Sequence, residues 1–418
     1  MGSTGRRSFL FLQGPTNFLF AKVADRLRAR GHDVHRIHVC VGDRIFWRGP
    51  GVTEFRGPWS DWPAFVAAFY ARHGITDVVL LGEKRPHHDA AIASAHASGI
   101  QVTVTDFGYF RPDWVVVERD GLNGGSRFPR DAGVILAQAK GLPPLDRAVR
   151  YPHRPVTQAL WDMTFHLSSA LMPWPFPHFR RHTLNHPVLN YAGTALRLAR
   201  APIERARTRR VLRALEGKAY YLFAMQMEDD YSLRAYSPYP DLDTAMDEVL
   251  RSFAAHAGAD AHLVFKLHPL DPGLKRWRSR IGRLASARGV GDRVHFVDGG
   301  ELEALIVGSR GVVTVNSTVG LRSLELRCPT FALGETIYRV PGLAFAGALD
   351  DFWTQAPSPD EALVEASLRL MGWALHVRGS FYDREGIEAA AAGMAHRLDR
   401  SLVNQPWADA PRVDRPDA

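Results

Sequence analysis

Short apolar runs alternate with amphipathic stretches along the chain, and this alternation constrains the fold more than any other feature of the sequence. In the first third, the segments between the apolar runs have the spacing of helices with one buried face. The apolar runs are "SFLFLQ", "DVHRIHV", "TDVVLLG" and "QVTVTDFG". Strands that alternate with helices in this way form a parallel, doubly wound α/β sheet. We therefore predict one such domain at the start of the chain.

The same alternation restarts near residue 219. Its apolar runs are "YYLFAMQ", "AHLVFKLHP", "RVHFVDG", "GVVTVNS" and "PTFALG". A chain of 418 residues also exceeds what a single hydrophobic core usually supports. We predict an α/β protein with two Rossmann-like domains, the GT-B-like glycosyltransferase architecture. The expected divisions are an N-terminal acceptor domain (1–140), an irregular and basic helical connection (141–215), a nucleotide-sugar domain (216–345) and C-terminal helices packing back across the domains (346–418).

The connection carries much of the positive charge of a chain whose net charge is +8. Nine arginines and one acid, Glu204, lie between Phe176 and Arg213. We expect helical segments interrupted by Pro187 and Pro202. Three interpretations stay open: a solvated basic face, a surface for anionic lipid headgroups, and a nucleic-acid site. No nucleic-acid-binding motif accompanies the arginines, so we expect no nucleic-acid partner.

The remaining bulk features exclude several classes of protein. Cys40 and Cys328 lie far apart and form no CxxC or metal-ligand spacing, so we expect no disulfide, no metal and no cofactor. The first residues lack the apolar core of a signal peptide, and no run of about 18 apolar residues occurs. These features indicate a cytoplasmic protein without a transmembrane helix.

Polar residues follow two strands of the second predicted sheet, and they suit a phosphate group. Backbone N–H groups at a helix start bind anions, and a lysine and a histidine beside them would add charge and a donor. Each feature also has an ordinary interpretation, a helix N-cap or a polar strand end. Together they predict a nucleotide-phosphate site. Its residues are Lys266, His268 and Pro269 of "KLHPL", and Asn316, Ser317, Thr318 and Gly320 of "VNSTVG".

A third group of polar residues follows the first strand of this domain, in "FAMQMEDDYSL". We expect Gln226 to contact the nucleotide sugar and one of the acids to act as nucleophile or base. Asp230 is our first candidate because it lies four residues past Gln226, and Asp229 is its rival. A solvated acidic loop is the alternative interpretation.

The strand ends of the first domain also carry polar residues. We expect Gln13, Gly14 and Pro15 of "LQGPTNF" to approach a ligand with their backbone. Glu83, Asp106 and Arg111 follow later strands, and the two acids are further candidates for catalysis. The set predicts an acceptor pocket, although ordinary loop residues would give the same pattern.

Several of these segments also resemble a known family. They are "FLQGP", "GYFRPDWVVVERDGLNGGSRFPRD", "LFAMQMEDD", "KLHPLD", "VNSTVGLRSL" and "GSFYD". In order and over most of the chain, they resemble the bacterial capsule polysaccharide biosynthesis family, in particular its initiating β-Kdo transferases of the KpsS/LipB type. The resemblance implies that Lys266, His268 and residues 316–318 bind CMP, and that the acids after Gln226 lie near the anomeric carbon.

The resemblance further implies a retaining enzyme that transfers β-Kdo from CMP-Kdo to a phosphatidylglycerol-type lipid. It would work as a peripheral protein on the cytoplasmic face of the inner membrane, with capsule assembly proteins as further partners. A nonenzymatic component of capsule assembly and export that binds polysaccharide or lipid is the alternative. That alternative needs only a groove and the basic face, whereas an enzyme needs the anion site and the acids together.

Overall fold

The computed structural model describes residues 5–181 and 183–405. Residues 1–4, at the start of the segment considered for a signal peptide, and residues 406–418 of the predicted C-terminal helices lie outside the described residues. The chain forms two compact α/β units, as predicted. The first unit comprises Met1–Phe128, Gln138–His182 and Leu368–Ala418, and the second comprises Pro129–Ala137 and Thr183–Ser367. The predicted connection is thus divided between the units at residue 182.

Twelve strands and fifteen α-helices occur in the described residues. Those up to residue 182 are β1 (Ser8–Phe11), α1 (Leu19–Ala29), β2 (Asp33–His38), α2 (Val41–Phe46), β3 (Val52–Glu54), α3 (Trp62–His73), β4 (Asp77–Leu81), α4 (Pro86–Ala97), β5 (Gln101–Phe107), β6 (Trp114–Arg119), α5 (Ala132–Ala139) and α6 (Pro155–Leu171). Those that follow are α7 (Pro187–Ala214), β7 (Tyr220–Ala224), α8 (Tyr231–Ala235), α9 (Leu242–His256), β8 (His262–Lys266), α10 (Trp277–Ala287), β9 (Val294–Val297), α11 (Leu302–Val307), β10 (Gly311–Thr314), α12 (Thr318–Glu325), β11 (Thr330–Ala332), α13 (Leu349–Gln355), α14 (Glu361–Leu375), β12 (His376–Arg378) and α15 (Arg384–Asp399).

The sheet of the first unit has the strand order β12-β6-β5-β4-β1-β2-β3. The five strands from β5 to β3 are parallel, and four of them, β5, β4, β1 and β2, were predicted. Strands β3, β6 and β12 were not predicted, and β6 runs antiparallel to both of its neighbours. The expectation of a purely parallel first domain was therefore wrong. The chain turns back within a few residues after β5, so no helix separates β5 from β6.

The sheet of the second unit has the order β11-β10-β7-β8-β9, and all its strands are parallel. Central strand β7 is buried along its whole length. In both sheets the direction of winding reverses beside the first strand, between β1 and β4 and between β7 and β10. Open α/β sheets bind ligands outside the carboxyl ends of the strands at such a reversal. We therefore expect a ligand site in each unit at the carboxyl ends of the strands beside its reversal.

Two long helices, α6 and α7, lie in the predicted connection. Residues 142–187 show no clean period, and α6 forms there over 17 residues. Pro187 starts α7, as its sequence suggested, but Pro202 lies inside a continuous helix of 28 residues. A proline removes one backbone hydrogen bond, and the alanines, leucines and arginines around it favour a helix. The predicted interruption at Pro202 was therefore wrong.

Candidate functional site

In the second unit, two amide side chains bridge the reversal of the sheet. Gln226 follows β7 and Asn316 follows β10, and both side chains are buried. Gln226 Nε2 donates to Asn316 Oδ1 at 2.8 Å, and the Asn316 backbone N–H donates to Gln226 Oε1 at 2.8 Å. Asn316 Nδ2 also donates to the carbonyl of Ser232 at 2.6 Å. The structure thus brings these two predicted residues together in a fixed pair at the crevice.

The start of α12 lies directly after this pair. Ser317 is the N-cap of the helix, because its Oγ accepts the Val319 N–H at 3.2 Å. Thr318 is the first helical residue and is partly exposed. A Cβ at Gly320 would lie 2.2 Å from the Tyr338 hydroxyl oxygen, so a close approach of Tyr338 explains this glycine. The ordinary N-cap interpretation holds for Ser317, and anion binding at this helix start stays a prediction.

Strand β8, on the other side of β7, ends in a buried cation. Lys266 is 7% exposed. Within the described part of the chain, its ammonium group has no hydrogen-bond or ion-pair partner. Burial lowers the pKa of Lys266, although the nearby Asp298 carboxylate opposes this shift. A buried amine without a bonded carboxylate is unfavourable, and a bound anion would offset that cost.

His268 lies two residues further, where the strand has passed into the loop. Its Nδ1 accepts the Leu270 backbone N–H at 3.1 Å, which assigns the proton of a neutral ring to Nε2. Nε2 can therefore donate a hydrogen bond to a phosphate oxygen. Pro269 is exposed, and no ligand role for it follows from its contacts.

Arg197 of α7 holds this loop in place, and the sequence analysis missed it. Its Nη1 donates to the carbonyls of Pro269 and Asp271, both at 2.7 Å. Its Nε and Nη2 bind the two oxygens of Asp298 at 3.0 and 2.5 Å. One arginine of the basic connection is therefore committed to the fold. No feature of the sequence distinguishes Arg197 from the neighbouring arginines.

Each acid of "QMEDD" has its own contact. Glu228 forms an ion pair with Lys275. Asp229 accepts the Leu184 N–H at 2.8 Å. Asp230 is the N-cap of α8, accepts the Ser232 N–H at 2.9 Å, and lies 3.5 Å from Gln226 Nε2. Of the three, Asp230 is the acid in direct contact with the Gln226 side chain at the crevice.

A cavity of about 340 Å³ opens beside these loops in the second unit. Its polar walls include Glu228, Asp229, Asp241 and Lys275, and Trp277 lies among its apolar walls. Of the predicted residues in this unit, Asp229 lines the cavity. The others, Gln226, Asp230, Lys266, His268, Pro269, Asn316, Ser317, Thr318 and Gly320, are absent from its lining. The cavity and the crevice at the sheet reversal are therefore two neighbouring features.

In the first unit, Gln13 and Arg85 meet at the reversal between β1 and β4. Arg85 Nη1 donates to Gln13 Oε1 at 2.9 Å. A Cβ at Gly14 would lie 2.5 Å from the ring of Phe20, so packing explains this glycine, and Pro15 beside it is buried. Gln13 and Arg85 thus form a hydrogen-bonded pair at the reversal of the first sheet, as Gln226 and Asn316 do in the second sheet. In the first unit one partner of the pair is positively charged.

The other predicted residues of the first unit, Glu83, Asp106 and Arg111, contact different segments of that unit. Arg85 Nε and Asp106 Oδ2 each lie 4.0 Å from the position of a Cβ on Gly82, so these two charges flank the same turn. Glu83 is buried and accepts the Leu122 N–H at 3.3 Å. The guanidinium of Arg111 lies 4.6 Å from the centre of the Phe107 ring. Asp106 is thus beside the crevice, whereas Glu83 contacts the loop at residue 122.

A cluster of one carboxyl and two hydroxyl groups in this unit was not predicted from the sequence. Asp162 of α6 contacts the Thr16 hydroxyl and accepts the Tyr382 hydroxyl at 3.2 Å. Burial raises the pKa of Asp162, against these hydrogen bonds and the charge of Arg85, which lower it. A usable signal existed, because Asp162 is the one acid between Asp146 and Glu204. The cluster adds a partly buried acid to the loop that follows Gln13.

Metal-ligating clusters and membrane-spanning helices are both absent from the described residues. Across residues 5–181 and 183–405, no group of three His, Cys, Asp or Glu side chains is arranged to hold a metal ion. No described helix is long and apolar enough to cross a membrane.

Comparison with known proteins identifies the family. The family model described as capsule polysaccharide biosynthesis protein matches residues 76–382. The capsule polysaccharide export protein KpsS of Escherichia coli is 28% identical over 361 residues, which cover 85% of this chain and 92% of KpsS. The capsule polysaccharide modification protein LipB of Neisseria meningitidis serogroup A is 28% identical over 385 residues, covering 90% of this chain and 92% of LipB. The solved structure of Thermosulfurimonas dismutans KpsC, a beta Kdo 2,7 transferase, aligns at 13% identity with a TM-score of 0.45 and covers 94% of this chain and 99% of its own. The chain belongs to the capsule polysaccharide biosynthesis protein family.

Proposed function

We propose that the protein is a retaining glycosyltransferase that transfers β-Kdo from CMP-Kdo to a phosphatidylglycerol-type lipid. Family membership supports a role in capsule polysaccharide biosynthesis. The donor and acceptor follow from the motif resemblance. The observation that supports an enzyme with an anionic substrate is the buried cation Lys266. It lies at the carboxyl end of β8, next to the strand that leads to Gln226.

In this proposal the second unit binds the CMP part of the donor. Lys266 supplies positive charge to the phosphate, and His268 Nε2 supplies a hydrogen bond. Thr318, with the backbone at the start of α12, supplies further donors. These groups follow β8 and β10, the two strands beside β7. Hydrogen bonds to a charged phosphate are stronger than those between neutral groups, so the loss of either donor should weaken CMP binding.

Asp230 serves as nucleophile in this proposal. Its carboxylate attacks the anomeric carbon, the bond to the CMP phosphate breaks, and CMP leaves with the bonding electrons. The acceptor hydroxyl then attacks the same carbon, loses its proton to solvent and releases Asp230 as a carboxylate. Two displacements retain the configuration of the donor. The contact with Gln226 Nε2 at 3.5 Å supports the choice of Asp230 over Asp229, which is bonded to the Leu184 N–H.

The first unit binds the acceptor lipid in this proposal. Arg85 and Arg111 supply positive charge for a lipid phosphate. The enzyme is a peripheral protein of the inner membrane, and the exposed Arg205, Arg209 and Arg210 of α7 face anionic headgroups.

The test is a turnover assay with the purified chain. CMP-Kdo and several UDP-sugars are each incubated with a phosphatidylglycerol acceptor, and the lipid product is identified by mass spectrometry. We expect one Kdo residue to be added from CMP-Kdo and none of the UDP-sugars to be used. Binding of capsule polysaccharide or lipid without turnover of any donor would instead identify the nonenzymatic export component.

A further inference from the structure

Helix α6 in the first unit has an uncovered apolar face. Val156, Leu160 and Leu171 are 72%, 59% and 62% exposed, and Met163 between them is also exposed. Their spacing of four, three and eight residues places all four on one side of the helix. Trp174, just beyond the end of the helix, is 69% exposed. Large apolar side chains grouped in this way mark an interaction surface.

The opposite side of the same helix is already packed. Phe165 is buried against Phe46 and Cys40. Ser169 Oγ accepts the Gly42 N–H at 3.0 Å. Asp162 is turned toward Thr16 and Tyr382. The exposed apolar face of α6 is therefore distinct from the face that packs against the rest of the first unit.

The charges around α6 favour one kind of partner. Between Asp146 and His182, the part of this region that belongs to the first unit, the sequence contains five arginines and the single acid Asp162. Arg150 and Arg154 form ion pairs with Asp146 and Asp383, and Asp162 points inward, so this stretch carries an excess of arginines over acids. Exposed aliphatic side chains, a tryptophan and an excess of arginines form the composition that binds the interface of an anionic bilayer.

We propose that the outer face of α6, the residues Val156, Leu160, Met163 and Leu171 together with Trp174, inserts into the headgroup boundary of an anionic lipid bilayer. The helix lies in the plane of the interface and does not span the membrane. This proposal rests on the proposed lipid acceptor, since it names the surface that brings the first unit to that lipid. A protein partner is the competing occupant, and the test separates the two.

The first experiment places a fluorescent reporter on the helix. Both native cysteines are buried. A single introduced cysteine, Leu160→Cys, can therefore be labelled with an environment-sensitive dye. With phosphatidylglycerol vesicles we expect a blue shift and quenching by nitroxide lipids. The matched control, Val307→Cys on α11 of the second unit, is as exposed and should show neither change. An unshifted dye at position 160 on protein that floats with the vesicles would overturn the proposal.

The second experiment measures binding. The triple variant Val156→Ser, Leu160→Ser and Leu171→Ser should bind phosphatidylglycerol vesicles more weakly by a factor on the order of ten or more in flotation. Val307→Ser with Leu270→Ser, two exposed apolar residues of the second unit, is the matched control and should float as the wild type does. Circular dichroism melting checks that each variant is folded. Equal flotation of the triple variant and the wild type would exclude insertion through this face.

Two further measurements distinguish a failure of the proposed transferase activity from a failure of the proposed membrane insertion. Turnover with a short-chain, water-soluble acceptor should survive in the triple variant if both proposals hold. If the wild type lacks that turnover while the triple variant loses flotation, the transferase fails and the membrane face stands. A wild type that ignores vesicles but self-associates in sedimentation, with the triple variant monomeric, would assign the face to a second copy of the chain and refute insertion.

Discussion

Gln226 and Asn316 join the loops after β7 and β10 through two hydrogen bonds of 2.8 Å. Each residue therefore fixes the position of the other at the reversal of the second sheet. The amide orientation of Gln226 is determined as well, because its Oε1 must accept the Asn316 backbone N–H while its Nε2 donates. A rigid crevice needs no rearrangement when a ligand binds, which favours affinity.

We expect Gln226→Ala to destabilise the second unit and to weaken CMP binding. The change removes two buried hydrogen bonds and leaves the Asn316 N–H without its acceptor, which should cost about 2–4 kcal/mol of unfolding free energy. Chemical denaturation and calorimetry with CMP measure the two effects. Gln355→Ala is the control, since Gln355 is exposed on α13. Equal stability of Gln226→Ala and the control would show that the pair does not hold the loops.

His268→Ala should weaken CMP binding without unfolding the protein. The lost hydrogen bond to a charged phosphate is worth roughly 1.5–3 kcal/mol, which corresponds to about 10–150-fold in the dissociation constant. Calorimetric titration with CMP measures the affinity. His256→Ala is the matched control, because His256 pairs with Asp350 at the end of α9. Unchanged affinity in His268→Ala would remove this residue from the phosphate site.

Lys266→Met should reduce CMP affinity while it leaves the melting temperature unchanged or higher at pH 7. Burial lowers the pKa of Lys266, so the folded state binds its proton less tightly than the unfolded chain does. The charged lysine therefore disfavours folding at pH 7, and this penalty disappears as the pH rises toward the unfolded pKa. Thermal melts at pH 7 and pH 10 test the sign. A variant that melts lower than the wild type at pH 7 would contradict this role.

Asp230→Asn should abolish sugar transfer and retain CMP affinity. Asparagine is as good an N-cap as aspartate, so α8 keeps its Ser232 N–H contact while the nucleophile is lost. Product formation from CMP-Kdo and calorimetry with CMP are the two measurements. Asp229→Asn is the matched control one residue away. Activity in Asp230→Asn and loss in Asp229→Asn would move the assignment by one residue, and activity in both would direct attention to Glu83 and Asp106.

Asp162→Asn should raise stability at neutral pH. Asparagine can still accept the Thr16 and Tyr382 hydroxyls, and it carries no charge. Because burial raises the pKa of Asp162, its ionisation disfavours folding, and the penalty grows as pH rises from the unfolded value through the folded one. We expect the variant to melt higher than the wild type at pH 7 and by a smaller margin at pH 4. A lower melting temperature at pH 7 would show that the carboxylate stabilises the fold.

The parallel strands other than β3 could be predicted because their signal is local. An apolar run such as "VVLL" is buried on both faces, and its neighbours in the sheet do not change that pattern. The same holds for the placement of Lys266 and Asn316, since each follows directly from the end of its own strand. β12 pairs with β6 across more than 250 residues, and no pattern within three residues specifies such a partner.

The contacts within the sites were harder to predict for the same reason. The sequence placed Gln226 and Asp230 on one loop, but it could not show that Gln226 would bond to Asn316. It also gave no reason to connect Asp162 with Thr16 or Tyr382, because these three residues come from three distant segments. Side-chain pairs between distant segments depend on the packed fold.

The contacts of Arg197 make the backbone of the loop after β8 insensitive to side-chain substitutions within the loop. They make it sensitive to substitution of Arg197 itself. Arg197 binds the carbonyls of Pro269 and Asp271, which every amino acid possesses. Substitutions of side chains in the loop can therefore accumulate without displacing its backbone. Replacement of the single arginine would release two carbonyls and Asp298 together. Natural variation should thus be free at position 269 and restricted at position 197, the opposite of what exposure on a long basic helix would suggest.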